Sequence, residues 1–201
     1  MSMALILGTR DRLVAASDSR AYNEARTAFS DTVQKIDLSP DCLFAASGFG
    51  GYARAAWHVT PPVAGESAKS RATRVLATMQ TGLTAAVEPY DVLFCVFRFA
   101  GHTPDGHAFK VRVAPGQTRG DIIEQGAPDG VPYVMFFGWD DQPKKEDVIR
   151  RQILPTLLTA PEEAVMLMLA RETIRTAAAA SAKVGGPTHL AILDGDGARW
   201  V

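Results

Sequence analysis

Ser2 and Asp18 lie sixteen positions apart, joined by two apolar runs, residues 3–8 and 12–18, that read as paired strands around the charged turn Arg10-Asp11-Arg12. Such a hairpin brings Asp18 back beside the start of the chain. If Met1 is removed, Ser2 carries a hydroxyl nucleophile and a free α-amino group on one residue, the arrangement of a combined nucleophile and base. An α-amine has an unperturbed pKa of about 7.7–8.0, so a nearby cation favours the neutral form that accepts the hydroxyl proton. Lys35 is the cation expected to do so, and Asp18 and Lys35 read as an ion pair. A serine in second position is commonplace; the strand register is what makes this one a candidate. Thr9, after Gly8, is a rival start, but processing there would leave the new terminus nine positions before Asp18 and delete the first strand.

The elements that must position these groups follow from hydrophobic period and turn residues. After a polar stretch from Ala21 to Ser30, strands are expected over Thr32–Asp37 and Leu43–Ser47, with Ser39-Pro40-Asp41 turning between them. Gly50 to His58 reads as a short helix stopped at Pro61-Pro62. A longer one is expected over Ser67–Val87, where Ala72, Val75, Leu76, Met79, Leu83 and Val87 recur at helical spacing. The run Val92–Phe99 predicts a buried strand, with Ala108–Val113 as its hairpin partner across a Gly101–Gly106 loop. Gln117–Gly130 reads as loop and Tyr133–Phe137 as strand. Two late helices, Asp147–Leu158 and Pro161–Ser181, are punctuated by Pro155 and Pro161, and Thr188–Leu193 with Ala198–Val201 closes the chain as a hairpin over Asp194-Gly195-Asp196-Gly197. Strands, helices, strands, helices, strands is the order of an α+β chain with helices outside antiparallel sheets.

Length and composition bound the function. The 201 residues, 47% of them apolar, fit one domain spanning 1–201 with a sizeable core. A net charge of −1 with no basic block argues against nucleic acid as a partner. No apolar run has the length of a membrane span, and the N-terminus lacks the order of a signal peptide, so a cytoplasmic protein without a membrane partner is expected. Cys42 and Cys95 both sit in apolar runs and read as buried core thiols. His58, His102, His107 and His189 lack metal-ligand spacing on a helix face. His102, Asp105 and His107 are read as a solvated hairpin loop and Trp139-Asp140-Asp141 as a turn, so no metal and no cofactor is expected.

Four segments together resemble the proteasome β-subunit and HslV peptidase family of N-terminal-nucleophile hydrolases: Ala16-Ser17-Asp18-Ser19-Arg20, Thr32-Val33-Gln34-Lys35-Ile36, the glycine-rich Ser47-Gly48-Phe49-Gly50-Gly51-Tyr52-Ala53, and the ending Val184-Gly185-Gly186-Pro187 through Trp200. The match is clear at both ends and rests on element order in residues 55–135. It implies a four-layer αββα sandwich of two antiparallel sheets flanked by helices, with the N-terminal residue opening into a cleft between the sheets. It implies that Ser2 stands where the family keeps its nucleophilic threonine, that Asp18 and Lys35 are the carboxylate and lysine beneath it, and that the Gly50 N–H binds the oxyanion. It implies a peptide or amide substrate, self-association into a ring-like homo-oligomer, and a possible ATPase partner.

The chain also departs from the family pattern. Phe136-Phe137-Gly138-Trp139-Asp140 replaces a small turn with a supporting serine. Ser181-Ala182-Lys183-Val184 stands where an aspartate and a serine would orient the N-terminal amine, leaving Ser181 as a hydroxyl to hold it. Two functions therefore follow from the resemblance: an N-terminal serine amide hydrolase, or a non-catalytic ring or scaffold subunit that keeps the fold.

Overall fold

The computed structural model describes residues 3–22, 28–100, 103–126, 132–137 and 143–201. Among them it is a mixed α+β structure with four helices and three antiparallel sheets. The strands are β1 (Ala4–Gly8), β2 (Arg12–Ser17), β3 (Ala21–Tyr22), β4 (Phe29–Ser30), β5 (Ile36–Ser39), β6 (Cys42–Gly48), β7 (Tyr90–Ala100), β8 (Thr103–Val113), β9 (Asp121–Gly126), β10 (Tyr133–Phe137), β11 (His189–Asp194) and β12 (Gly197–Trp200). The helices are α1 (Gly51–Val59), α2 (Ala68–Gly82), α3 (Pro143–Thr159) and α4 (Glu163–Ala180). One five-stranded sheet runs β10-β1-β2-β11-β12, the other β5-β6-β7-β8-β9, and β3 pairs with β4 alone.

Both large sheets bury apolar side chains on two faces, which is why their central strands are continuous apolar runs. Ala4, Ile6, Leu13, Ala15 and Leu193 from the first sheet share one cluster with Ile36, Leu43, Ala45, Cys95 and Phe97 from the second. The alternate residues of the first sheet, among them Leu5, Leu7, Val14 and Ile192, pack on Ile153 and Leu157 of α3 and Met166, Ala170 and Ile174 of α4. Those of the second, including Phe44, Phe94 and Val111, pack on α1 and α2 through Ala53, Trp57, Val75 and Met79. The Trp57 ring stacks on Phe44 with centroids 4.9 Å apart, and the Arg71 guanidinium covers it at 3.7 Å. Both free cysteines are buried in these layers, and burial raises each thiol pKa. No helix among the described residues is long and apolar enough to cross a membrane.

Several elements differ from the sequence-based expectation. Residues 117–130 are not all loop: Asp121–Gly126 forms β9, an edge strand whose Ile122 and Ile123 remain exposed and so show no alternation. The β7–β8 hairpin closes at Ala100↔Thr103, with Pro104 inside the strand. Proline is tolerated there because β9 pairs only with His107–Arg112 and leaves that stretch of β8 as an edge. α2 ends at Gly82, five residues early, so Val87 lies outside it and is 93% exposed. α3 starts at Pro143, four residues before the expected Asp147, and holds Pro155 inside it. β5 begins at Ile36, four residues later than expected, which leaves Lys35 in the irregular segment leading into the strand.

Gly8 fixes how β10 lies on β1. A Cβ at Gly8 would come within 2.3 Å of the Tyr133 ring, itself buried between the sheets. Gly8→Ala should therefore destabilise the fold by about 1–3 kcal/mol through overpacking, seen as a lower urea midpoint. Combining it with Tyr133→Leu should recover part of that loss. An unchanged midpoint in Gly8→Ala would disprove the close packing.

Candidate active site

The first hairpin sets the site. The Thr9 N–H donates to the Arg12 carbonyl at 2.9 Å, closing the turn, and β1 pairs with β2 from Gly8↔Leu13 to Ala4↔Ser17. Thr9 is thus a buried turn residue inside the hairpin. One step beyond the paired strands, Asp18 meets Met3. The Asp18 N–H donates to the Met3 carbonyl at 3.2 Å, and the Met3 N–H donates to Asp18 Oδ1 at 2.7 Å. Ser2, the expected nucleophile, lies outside the described residues; Met3 is the residue covalently next to it.

Lys35 Nζ donates to the same Oδ1, forming the ion pair expected from the sequence. Asp18 Oδ2 accepts the Arg20 N–H at 3.2 Å and the Gly185 N–H at 3.1 Å. Both side chains are buried, and a buried carboxylate is tolerable because each oxygen has donors. Burial pushes the Lys35 ammonium down to about 8, while Asp18 and, more weakly, Asp31 pull it back up.

A second ion pair, which the sequence reading did not pick out, supports the first. The Arg20 guanidinium grips Asp31 with two bonds of 2.8 Å and donates to the Ala182 carbonyl at 2.8 Å. The hydrogen bond from Arg20 holds the Asp31 carboxyl below its usual range. The Tyr22 hydroxyl joins at the same Ala182 carbonyl, 2.9 Å away, and the Gly185 carbonyl accepts from Ser19 and Arg20. The segment between α4 and β11 is thereby strapped to the end of β2. Gly186 is required by this contact: its φ is +75°, and a Cβ would meet Ser19 Oγ at 2.3 Å. Ser181 caps the end of α4, and its hydroxyl accepts the Lys183 N–H at 3.3 Å. Opposite charges eleven positions apart give no periodic signal; the double glycine was the visible trace of this strap.

Gly50 is the N-cap of α1, and among the described residues no carbonyl accepts its N–H, as is usual at a helix start. A Cβ there would come within 3.0 Å of Ala46 Cβ and Ser47 N. The left-handed residue of this turn is Gly48, at φ +67°, with the Asp91 carbonyl 2.3 Å from where a Cβ would sit. Gly50 and Lys35 line the same open cavity of about 590 Å³, bounded by β3, the end of β6, the start of α1 and the segment before β5. Asp18, Lys35 and Met3 are thus brought together by contact, and Gly50 joins them through the cavity.

Residues 138–140, where a supporting serine was missing, lie outside the described residues, as do His102 and Asp141. His107 is buried beside Glu124 at 3.0 Å rather than solvated in a loop, and Asp105 accepts the Ala68 N–H at the start of α2. Among the described residues no group of three His, Cys, Asp or Glu side chains is placed to hold a metal ion. No protein-family model matches this chain, and no curated protein matches it.

Lys35 should titrate near pH 8, followed by NMR of ¹³Cε-labelled lysine. Because its folded pKa lies below the unfolded 10.5, the unfolded chain binds more protons between about pH 8 and 10.5, and stability should gain from this group as pH rises through that window. Asp18→Asn removes the principal group that raises the pKa while leaving burial in place, so it should shift the titration further down. An upward shift in that variant would overturn the assignment of causes.

Proposed function

We propose that this protein is an N-terminal-nucleophile amide hydrolase of the proteasome-like kind, acting on a peptide or amide through Ser2 once Met1 has been removed. The observation that supports it best is the Asp18 carboxylate, which takes the Met3 N–H and the Lys35 ammonium on one oxygen, one peptide unit from Ser2. The layering supports it too: two antiparallel sheets share one apolar cluster, and each packs a helix pair on its other face, as an αββα sandwich would. In the proposed reaction Ser2 Oγ attacks the carbonyl carbon while the Ser2 α-amine takes its proton. The amine then passes that proton to the leaving amine as the acyl–nitrogen bond breaks, and water hydrolyses the Ser2 ester. Lys35, paired with Asp18, supplies the positive charge that favours the neutral amine. The Gly50 N–H donates to the oxyanion, aided by the positive end of α1.

The competing reading is a non-catalytic ring or scaffold subunit. It draws on Ser181-Ala182-Lys183-Val184, which stands where amine-orienting side chains are expected and which offers the Ala182 carbonyl as an acceptor for Arg20 and Tyr22. The two readings separate on protein made without an N-terminal tag. The hydrolase reading expects N-terminal sequencing to begin at Ser2, and Ser2→Ala and Lys35→Ala each to lower turnover of fluorogenic peptides by on the order of 10³-fold or more. Ser2→Thr should keep activity. A Ser2→Ala protein as active as wild type would sink the mechanism.

Assembly into a closed homo-oligomer is part of the same proposal, since rotational symmetry lets one chain bury a repeated surface. The helices carry apolar side chains that their own sheet leaves uncovered: Val148 and Leu158 on α3 and Met168 on α4 are each more than half exposed. At least six chains are expected by light scattering at micromolar concentration. A monomer alone would refute the ring, and would leave an uncaged peptidase hard to reconcile with a cytoplasmic setting.

A further inference from the structure

We infer that Ser19 is a further positioning residue of the site, its hydroxyl accepting a hydrogen bond from the α-amine of Ser2. This inference rests on the hydrolase reading, since only there does the amine have a proton to carry. Ser181-Ala182-Lys183-Val184 stands where amine-orienting side chains are expected, and Ser181, the hydroxyl that the sequence left for the task, sits at the end of α4 and accepts the Lys183 N–H. Another group must hold the amine.

Among the described residues three serine hydroxyls are buried without a hydrogen-bond partner: Ser17, Ser19 and Ser47. An orphan hydroxyl costs stability, so each calls for a reason. Strand register selects Ser19. The first hairpin pairs Ala4 with Ser17, and one step on Met3 and Asp18 exchange two bonds, so the next pair in that count is Ser2 with Ser19. Ser17 stands inside its sheet between Ala4 and His189, and Ser47 belongs to the other sheet, opposite Leu93.

The surroundings fix Ser19 while leaving its hydroxyl unused. Its N–H donates to the Gly185 carbonyl at 3.2 Å, and its own carbonyl accepts the Val33 N–H at 3.0 Å. The hydroxyl has room only because residue 186 is a glycine: a Cβ there would lie 2.3 Å from Ser19 Oγ. A backbone held from two sides presents its acceptor at one place, as a positioning group must. With one N–H bonded to Ser19 Oγ the amine no longer turns freely, and its lone pair is kept for the proton of the Ser2 hydroxyl.

The test uses the full chain released from a cleavable N-terminal fusion so that it begins at Ser2, with ¹³C-labelled serine so that the amine is titrated through the Ser2 Cα signal. Ser19→Ala should lower kcat on fluorogenic peptides by about 10²-fold, the loss that follows from a misplaced reacting group. It should also lower the pH midpoint of the amine by about half a pH unit, because an acceptor that favours the charged form has gone. An amine that is neutral at lower pH and yet slower has lost orientation, not basicity. The urea midpoint should hold or rise, since a buried hydroxyl without a partner has been removed. Ser17→Ala should leave turnover within about twofold and the amine midpoint in place. Wild-type turnover that Ser19→Ala does not change, or that falls with the amine midpoint unmoved or the urea midpoint well lowered, overturns the role of Ser19 and leaves the hydrolase intact. A Ser17→Ala protein that behaves as Ser19→Ala does overturns the choice by register. Absent turnover in wild type, with an amine midpoint that Ser19→Ala lowers, upholds the contact and overturns the hydrolase. Neither turnover nor a lowered midpoint overturns both.

Discussion

The buried carboxylate of Asp18 is the constraint on which the rest of the site depends. A charge with no access to water must be met on every side, and here its donors come from four separated places in the chain: Met3, Arg20, Lys35 and Gly185. Removing one leaves a polar group buried without a partner, a penalty of about 1–3 kcal/mol and more for a charge. The start of β1, the end of β2, the approach to β5 and the strap before β11 are therefore not free to move independently. Lys35 is the member whose charge can change near neutrality, because burial and Asp18 act on it in opposite directions.

Much of the fold was legible from sequence, and the failures share a cause. Strands buried on two faces, such as Cys42–Gly48 and Tyr90–Ala100, announce themselves as apolar runs. Asp121–Gly126 does not, because an edge strand with Ile122 and Ile123 in solvent needs neither an apolar run nor alternation. Pro104 was read as part of a Gly101–Gly106 loop, and it is accommodated within β8, opposite Phe99 and on the stretch that β9 does not pair. Local propensity gave the right signal there, and tertiary context set it aside.

The site divides in the same way. Asp18 and Lys35 were found through motifs that sit at the end of a hairpin and just before a strand, where short-range order fixes the side chain. The Arg20–Asp31 pair and the Ala182 carbonyl were missed because the first joins residues eleven positions apart with no periodic signal and the second comes from a segment about 160 residues away. Gly50 was read as the oxyanion donor, yet a Cβ there would also sit a tight 3.0 Å from Ala46 Cβ and Ser47 N, so packing alone favours a glycine. An oxyanion role must therefore rest on its free N–H rather than on the absence of its side chain.

The strand order of the two large sheets has a consequence for how the molecule comes into being. The sheet β5-β6-β7-β8-β9 is built from neighbours in sequence and is complete once residue 126 exists. The sheet β10-β1-β2-β11-β12 is not: β2, near the beginning of the chain, pairs along its length with β11, near the end, from Arg12↔Asp194 to Ser17↔His189. Closing so long a loop is entropically slow, and during synthesis it must wait for almost the whole polypeptide. Gly185 reaches Asp18 in that same last stage. A nascent or truncated chain that ends before β11 therefore carries Asp18 and Lys35 without the pairing of β2 to β11, and the carboxylate gains its Gly185 donor only in that last stage.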